Sequence, residues 1–436
     1  MTLVLDQVLG LARRKGAQAD ALLRDTTVLS LSFEAGRLKG SALSQEAGLN
    51  LRVIANGRIG IAGTTDLTGP DDVVRRAFAS AAEGEALELA LPTASQLPSV
   101  ETFDGRAEGL DVARLAALGR AVVERLQRPG WQVTASVERH LETARFANTS
   151  GQAFEQRASA VTLGAEVTRV SGDDVLMAYD TFAANGPPEA SDLERLAGRI
   201  VRKIELSERI VEPPEGRLPV LFTPEGLEAV LMPVRQALSG KSVLQGISPL
   251  GGKIGETMFD ARFSLTDDPL AAGRIASRAA DDEGVPSARL PLVERGVVMA
   301  FVYDLETAAR AKARSTGHGS RSTFGKPGIQ FSNLVLRTGE HDESQLLADV
   351  GNGLVVDELI GVGQGNVSSG SFSHPVALAW RVDKGEITGR VKDAAIAGNA
   401  FELLRRIIAI GREGRWLNGT RYVPPIVIEG VNVARR

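Results

Sequence analysis

The sequence predicts an α+β protein: an N-terminal half of two helix–antiparallel-strands–helix units, then a C-terminal, mostly antiparallel β domain with flanking helices. Three observations support this. Alternating apolar residues mark strands in the first half of the chain, helical apolar spacing flanks each group of strands, and glycine-rich loops become frequent after Pro213-Pro214. The length of 436 residues also exceeds one ordinary core. We therefore predict domains at 1–95, 107–210 and 217–436.

The first unit begins with apolar residues at helical spacing, and its strands are joined by Asn56-Gly57, a dipeptide typical of a tight hairpin turn. Pro70 suits the first turn of the helix that closes the unit. The predicted elements are a helix at about 3–15, strands at 26–34 and 49–63, and a helix at about 70–84.

The second unit repeats this order after a polar, proline-containing linker at 91–105. Its strands surround a turn at Asn148 to Gly151. The predicted elements are a helix at about 111–127, strands at 131–139 and 141–148, a long strand after the turn, and a helix at about 190–207.

The third region begins with a short strand at 220–222 and a helix at about 224–239, for which Thr223 is the predicted N-cap. A hairpin is predicted about Arg295-Gly296. Asn399, with Glu402 three residues later, predicts a cap for a helix with the sequence FELLRRIIAIG.

Composition excludes several classes of function. The 50 basic and 54 acidic residues are mixed along the chain, so the basic stripe required for nucleic-acid binding is absent. The chain has no cysteine, which excludes disulfides, thiolate nucleophiles and cysteine-ligated metals. We expect a cytoplasmic protein without a membrane segment, because the N-terminus has no secretory pattern and no apolar run reaches transmembrane length.

The sequence offers few candidates for chemistry. None of the four histidines is followed by Glu, so the H-E-x-x-H zinc motif is absent. His140 and His341 are expected at the surface, and His318 in a glycine-serine loop. The acidic run from Asp281 to Glu283 is a possible site for a hard cation, although an acidic turn is the favoured interpretation.

The segment GVGQGNVSSGSFSHPVALAW (361–380) resembles an active-site loop but matches no phosphate-binding motif. It precedes a predicted strand, whereas dinucleotide loops precede a helix. Ser373 and His374 are adjacent, so on a strand they point to opposite faces and cannot form a nucleophile–base pair. A conformationally demanding backbone loop at a sheet edge is the favoured interpretation.

Several segments together resemble the TldD/PmbA family, also called modulators of DNA gyrase, over nearly the whole chain. The similar segments are the glycine-rich loop just quoted, DDEGVP (281–286), LVERGVV (292–298), the helix after PEGLEAVL (224–231), AIAGNAFELLRRIIAIG (395–411) and the N-terminal segment 33–67.

The resemblance implies one of two branches that pair as a heterodimer. The TldD branch carries a zinc-binding H-E-x-x-x-H helix and a cysteine ligand, which the PmbA or TldE branch lacks. At the corresponding helix this chain has Met232, Pro233, Ala237 and Leu238, so it resembles the PmbA branch. The implied function is that of a non-catalytic subunit of a zinc metalloprotease complex acting on unfolded or short peptides. The resemblance implies no cofactor in this chain and zinc in the TldD-type partner.

The glycine-rich loop is then a candidate groove for peptide or partner, with no catalytic role. The residues assigned to this groove are Gly363, Gly365, Asn366, Ser369, Gly370 and His374. Two alternatives stay open: a stand-alone peptidase or hydrolase whose site has moved to the acidic run with His318 or His374, and a homo-oligomeric peptide-binding protein. A homodimer in isolation is also compatible with the sequence.

Overall fold

A computed structural model describes residues 3–364 and 366–435. Gly365, one of the predicted groove residues, lies outside these ranges. The helices are α1 (Leu3–Arg14), α2 (Pro70–Ala82), α3 (Gly105–Glu108), α4 (Val112–Leu126), α5 (Ala190–Glu205), α6 (Glu228–Ala237), α7 (Gly240–Leu244), α8 (Leu305–Ala311), α9 (Glu343–Val350) and α10 (Ala400–Leu403).

The strands are β1 (Gln18–Glu34), β2 (Arg37–Ala55), β3 (Arg58–Thr64), β4 (Trp131–Asn148), β5 (Ala153–Ser171), β6 (Asp174–Ala184), β7 (Ile210–Val211), β8 (Gly216–Phe222), β9 (Leu265–Asp267), β10 (Leu290–Glu294), β11 (Val297–Val298), β12 (Gly319–Ser320), β13 (Gly328–Ile329), β14 (Leu334–Leu336), β15 (Gly353–Leu359), β16 (Ser371–Asp383), β17 (Glu386–Val391), β18 (Ala394–Asn399), β19 (Ile407–Ile410), β20 (Arg415–Leu417), β21 (Arg421–Val423) and β22 (Ile426–Arg435). The predicted α+β class is confirmed.

The N-terminal strands form one antiparallel sheet in the order β3-β2-β1-β4-β5-β6. Strands from both predicted N-terminal units meet in it, because β1 pairs with β4. Helices α1 and α2 pack on the β1–β3 side around a core that contains Leu5, Leu51 and Val73. Helices α4 and α5 pack on the other half.

The C-terminal region is built around an eight-stranded sheet. Seven strands follow the order β15-β8-β22-β18-β16-β17-β7, and the eighth, β19, pairs with β22. Since β15 also pairs with β16, the pairings β15-β8-β22-β18-β16 close into a ring. Helix α6 packs in the core of this region. The core around α5 is shared by both sheets: it contains Ile200 of α5, Leu163 of the first sheet and Trp380 of the second.

Two hairpin predictions are confirmed by the backbone. Asn56 and Gly57 have φ of 52° and 71° between β2 and β3, and Arg295 and Gly296 have 47° and 81° between β10 and β11. These are the positive angles that the tight turns require.

Three element predictions were wrong. The strands predicted at 131–139 and 141–148 form one strand, β4, because β1 and β5 pair with it continuously through His140. The helix predicted from 224 begins at Glu228 and its N-cap is Leu227, not Thr223. Asn399 caps α10 as predicted, but that helix ends at Leu403, and Ile407–Ile410 pairs with β22 instead.

No helix among the described residues has both the length and the apolar character needed to cross a membrane.

Candidate functional site

The glycine-rich loop packs directly on helix α6. Its glycines at 361 and 363 have φ of 77° and 89°, the left-handed region that disfavours other residues. A methyl group added at Gly363 would lie 2.9 Å from Sδ of Met232. Nε2 of Gln236, one turn further along α6, donates to Oγ of Ser368 at 2.7 Å. These contacts hold the described part of the loop against this helix.

The other end of the loop is tied to the start of α10. The amide of Ala400 donates to the carbonyl of Gly370 at 2.8 Å, and Nδ2 of Asn399 donates to the carbonyl of Ser369 at 2.9 Å. Gly370 has φ of 74°, and a methyl group there would lie 2.5 Å from the ring of Phe401. Of the predicted groove residues, Gly363, Ser369 and Gly370 thus have demonstrable structural contacts.

His374 lies on β16 opposite Ile396 of β18. Its ring stacks on Phe372 at 5.7 Å between centroids, so it faces the same side of the strand. Burial holds the pKa of His374 below its usual value. Ser373 is exposed on the other face, as the alternation of the strand predicts, and this separates the two side chains. Asn366 is exposed at the start of the short helical turn Val367–Ser369.

The positions of α6 at which the resemblance to the TldD branch implies zinc ligands carry no nitrogen or oxygen atom in their side chains. Pro233, Ala237 and Leu238 are buried, and Met232 is half-buried beneath the loop. A single thioether with three hydrocarbon side chains does not fit a zinc site, which takes histidine, cysteine or carboxylate ligands. Gln236 is the polar residue here that sequence reasoning missed. The sequence signal that could have identified it is its spacing one helical turn after Met232, which places both side chains on the same face of the helix.

The acidic run Asp281 to Glu283 is held by protein groups. Oδ1 of Asp281 accepts from the amides of Glu283 and Val285 at 3.0 and 2.9 Å, and Oδ2 accepts from the amide of Gly319 at 2.7 Å. Asp282 accepts from Arg24 at 2.8 Å. Burial, with the charge of nearby Glu283, raises the pKa of Asp281 to about 7. The run is therefore a turn whose carboxylates accept hydrogen bonds from protein groups, as the favoured interpretation predicted.

Glu283 joins the two halves of the molecule through a buried ionic network. Its Oε1 accepts from Nη1 of Arg52 at 2.6 Å, and its Oε2 accepts from the amide of Leu305 at 2.7 Å. Arg52 also bonds Asp20, which in turn accepts from Arg321 at 2.6 Å. All four charged side chains are at most 2% exposed. This network connects β1 and β2 to the C-terminal region.

His318 is 1% exposed, and its Nε2 lies 3.2 Å from Oδ1 of buried Asp267. Its Nδ1 lies 2.9 Å from both the hydroxyl and the carbonyl oxygen of Thr316. Asp267 also accepts from the amide of Ser332 at 2.8 Å. His318 is therefore enclosed within the fold. Across residues 3–364 and 366–435, no three His, Asp or Glu side chains converge to hold a metal ion.

Two adjoining clefts, which sequence reasoning missed, lie where α5 and β6 meet the C-terminal region. Their volumes are about 570 and 860 Å³, and both are lined by Arg199, Pro224, Glu413 and Arg415. Their walls come from segments far apart in the chain, so no local sequence pattern marks them. Clefts of this size between structural units are typical of ligand sites.

The shared wall of these clefts is ordered by ion pairs to the buried carboxylate of Asp180. Asp180 of β6 bonds both Arg199 of α5 and Arg415 of β20. In the smaller cleft, Nζ of Lys203 lies 2.7 Å from Oδ2 of Asp357. Arginine is suited to such multidentate pairing because its guanidinium is planar and carries five N–H donors.

Two segments of the chain match models of known protein families. Residues 215–435 match the family described as the PmbA/TldA metallopeptidase C-terminal domain, and residues 19–81 match PmbA/TldA metallopeptidase domain 1. The chain belongs to the PmbA/TldD family. Its glycine-rich loop, α6 and closed ring of strand pairings all lie within the matched C-terminal domain.

Some relatives of the family match this chain over most of their length, and others over about half of it. A protein named "Metalloprotease" from Methanothermobacter thermautotrophicus is 26% identical over 91% of this chain and 88% of its own. The crystal structure of a candidate modulator of a DNA gyrase from Thermotoga maritima superposes with a TM-score of 0.91, 25% identity and 99% coverage of both chains. TldE from Thermococcus kodakarensis shares the fold, with a TM-score of 0.91 at 22% identity over 99% of this chain and 100% of that one.

Proposed function

We propose that this chain is a non-catalytic, PmbA/TldE-type subunit of a zinc metalloprotease complex that processes unfolded or short peptides. The observation that carries the proposal is helix α6. It packs beside the glycine-rich loop, and it has Met232, Pro233 and Ala237 at positions where the resemblance to the TldD branch implies zinc ligands and a general base. Zinc chemistry would then have to come from a TldD-type partner.

An exposed apolar surface next to α6 supports the presence of such a partner. We call it the α7 patch: Ile254 and Met299, which are 57% and 42% exposed. The amide of Gly255 donates to the carbonyl of Val298 at 2.8 Å, so the neighbouring Ile254 and Met299 lie on adjacent segments. Apolar side chains grouped at the surface are typical of interaction sites.

The first sheet offers an edge that suits an extended peptide or a partner strand. Residues 37–46 of β2 are exposed and pair with β1, whereas pairing with β3 begins at Leu49. Within the described residues no strand covers the outer edge of 37–46. An uncovered edge presents backbone donors and acceptors to an added strand.

The alternative of a relocated active site finds less support. The carboxylates of the acidic run are bonded to arginines and amides, and His318 is enclosed. A nucleophile or base needs access to substrate within hydrogen-bond reach, which the burial of Asp281, Glu283 and His318 opposes. A homo-oligomeric peptide-binding protein is distinguished from our proposal by the partner experiment below.

The test is co-expression with a zinc-bearing TldD-type relative, followed by size analysis and a peptidase assay. We expect a heteromeric complex whose peptidase activity a chelator abolishes. Ile254→Glu should weaken the complex, because it introduces a charge into the α7 patch. Val175→Glu is the matched control, since Val175 is an apolar residue on β6 with 54% exposure.

A homo-oligomer that excludes the zinc-bearing chain would contradict the proposal and favour the peptide-binding alternative. Equal weakening by both variants would show that the α7 patch is not the contact. Activity of the purified single chain would contradict the non-catalytic assignment.

A further inference from the structure

Arg274 lies in the wall of the 860 Å³ cleft and has no ion-pair partner within residues 3–364 and 366–435. Its guanidinium lies 4.4 Å from the ring centre of Trp416, which itself packs on Tyr422 at 5.4 Å. Among the residues that the structure describes, no carboxylate oxygen lies within 4 Å of its nitrogens. The other arginines of the cleft differ: Arg106 and Arg195 have carboxylate partners. Stacking on Trp416 therefore fixes Arg274 and leaves its donors available.

Burial lowers the pKa of Arg274, opposed by the charge of Asp192. Arginine still stays protonated at any physiological pH. A partly desolvated guanidinium without a bonded carboxylate gains more from an arriving anion than an exposed one does, because water screens it less. Its flat face is occupied by Trp416, so an anion would bond to the edge, where a carboxylate accepts two parallel N–H bonds.

The cleft that contains Arg274 also contains a buried hydrogen-bond acceptor for which the described residues supply no donor. Asn185 is 2% exposed and lines the same cleft. Its Nδ2 donates to the carbonyl of Glu101 at 3.1 Å, which fixes the orientation of the amide, and Oδ1 has no donor among the described residues. The backbone amide of Asn185 donates to the carbonyl of Gly273 at 3.3 Å, so the two side chains arise from bonded, adjacent segments.

An anion-binding guanidinium next to an orphan acceptor defines a ligand chemistry. A peptide C-terminus presents a carboxylate together with the amide N–H of its last residue. The carboxylate suits Arg274, and the amide N–H suits Oδ1 of Asn185, whose unsatisfied burial is costly until a donor arrives. An inorganic anion would satisfy only the first group.

We propose that the Arg274–Trp416–Asn185 cleft binds the C-terminal carboxylate of a peptide. The inference rests on the proposed function, because it takes peptides as the ligand class. It adds that a bound peptide is held at its C-terminal end. The cleft lies at the junction of β6 with the C-terminal region, so binding there anchors a peptide between the two halves of the chain.

The test is calorimetric titration of the purified full chain with N-acetyl-trialanine, as the free acid, as the C-terminal amide, and N-methylated at the last amide nitrogen. We expect the free acid to bind at least tenfold more tightly than the C-terminal amide. Arg274→Gln should abolish this preference. Arg120→Gln, which removes the same charge from an exposed site on α4, should retain it. The N-methylated peptide should bind more weakly than the free acid.

Each contrary outcome has one meaning. Equal binding of acid and amide by the unaltered chain would overturn the carboxylate site and leave peptide binding intact. Equal loss of the preference in both arginine variants would show that Arg274 is not the specific partner of the carboxylate. Equal affinity with and without N-methylation would overturn the role of Asn185. Absence of binding by all three peptides would overturn the site, and with it peptide binding by this chain alone.

Discussion

Removing Arg52 should weaken the energetic link between the two halves of the molecule. The side chain is 1% exposed and bonds two buried carboxylates, Asp20 and Glu283. In an Arg52→Met variant Asp20 keeps Arg321 as partner, but Glu283 keeps the amide of Leu305 alone. Breaking a buried ion pair from one side costs about 3–5 kcal/mol, so we expect a loss of this size in the free energy of unfolding at pH 8.

The pH dependence of that loss has a defined sign. Burial already raises the pKa of Glu283, and Arg52 opposes this. Without Arg52 the carboxyl takes up a proton more readily, and each unit of pKa corresponds to about 1.4 kcal/mol. The loss should therefore be smaller at pH 6 than at pH 8, and Glu283→Gln should recover part of it in the Arg52→Met background.

The assay is urea unfolding followed by circular dichroism, with Arg37→Met as the matched control. Arg37 is exposed at the start of β2, so its replacement should leave the midpoint unchanged. The reasoning is refuted if Arg52→Met behaves like Arg37→Met, or if its loss is the same at both pH values.

Three further outcomes are expected from the described contacts. Because burial raises the pKa of Asp281 from its ordinary value of 3.8 to about 7, the folded chain retains a proton that the unfolded chain releases, and stability should fall as pH rises from about 4 to about 7. Asp281→Asn should flatten this slope in urea titrations; an unchanged slope contradicts the assignment. Gly363→Ala should cost about 1–3 kcal/mol, partly relieved by Met232→Ala, because it combines a positive φ with a 2.9 Å contact; thermal unfolding that shows no relief would disprove the contact. Ile254→Glu should reduce co-purification of a TldD-type partner, whereas intact co-purification argues against the α7 patch.

Local signals in the sequence were sufficient where the structure is decided locally. The turns at Asn56-Gly57 and Arg295-Gly296 have the positive φ values that these residues predicted. Asn399 caps α10 with bonds to the amides of Phe401 and Glu402, as its spacing predicted. In each case the deciding interactions lie within a few residues.

Predictions failed where distant segments decide the structure. The apolar stretch Ile407–Ile410 suits a helix, but pairing with β22 makes it a strand. Likewise β4 is continuous because β1, which is distant in the chain, and β5, which follows it, both pair with it through His140. The domain boundaries at 95–107 and 210–217 stay a prediction.

The candidate sites show the same difference between features decided locally and features decided by distant segments. The alternation of β16 correctly separated Ser373 from His374, and the glycine-rich loop was identified from its composition. The ionic network around Glu283 and the cleft containing Arg274 could not be predicted, because their residues come from segments more than 80 positions apart along the chain. Only folding brings them together.

The most direct test of the central claim is elemental analysis and a peptidase assay on the purified single chain. Our account predicts substoichiometric zinc and no cleavage, with chelator-sensitive cleavage after addition of a TldD-type subunit. One tightly bound zinc per chain, together with chelator-sensitive cleavage in the absence of any partner, would contradict it.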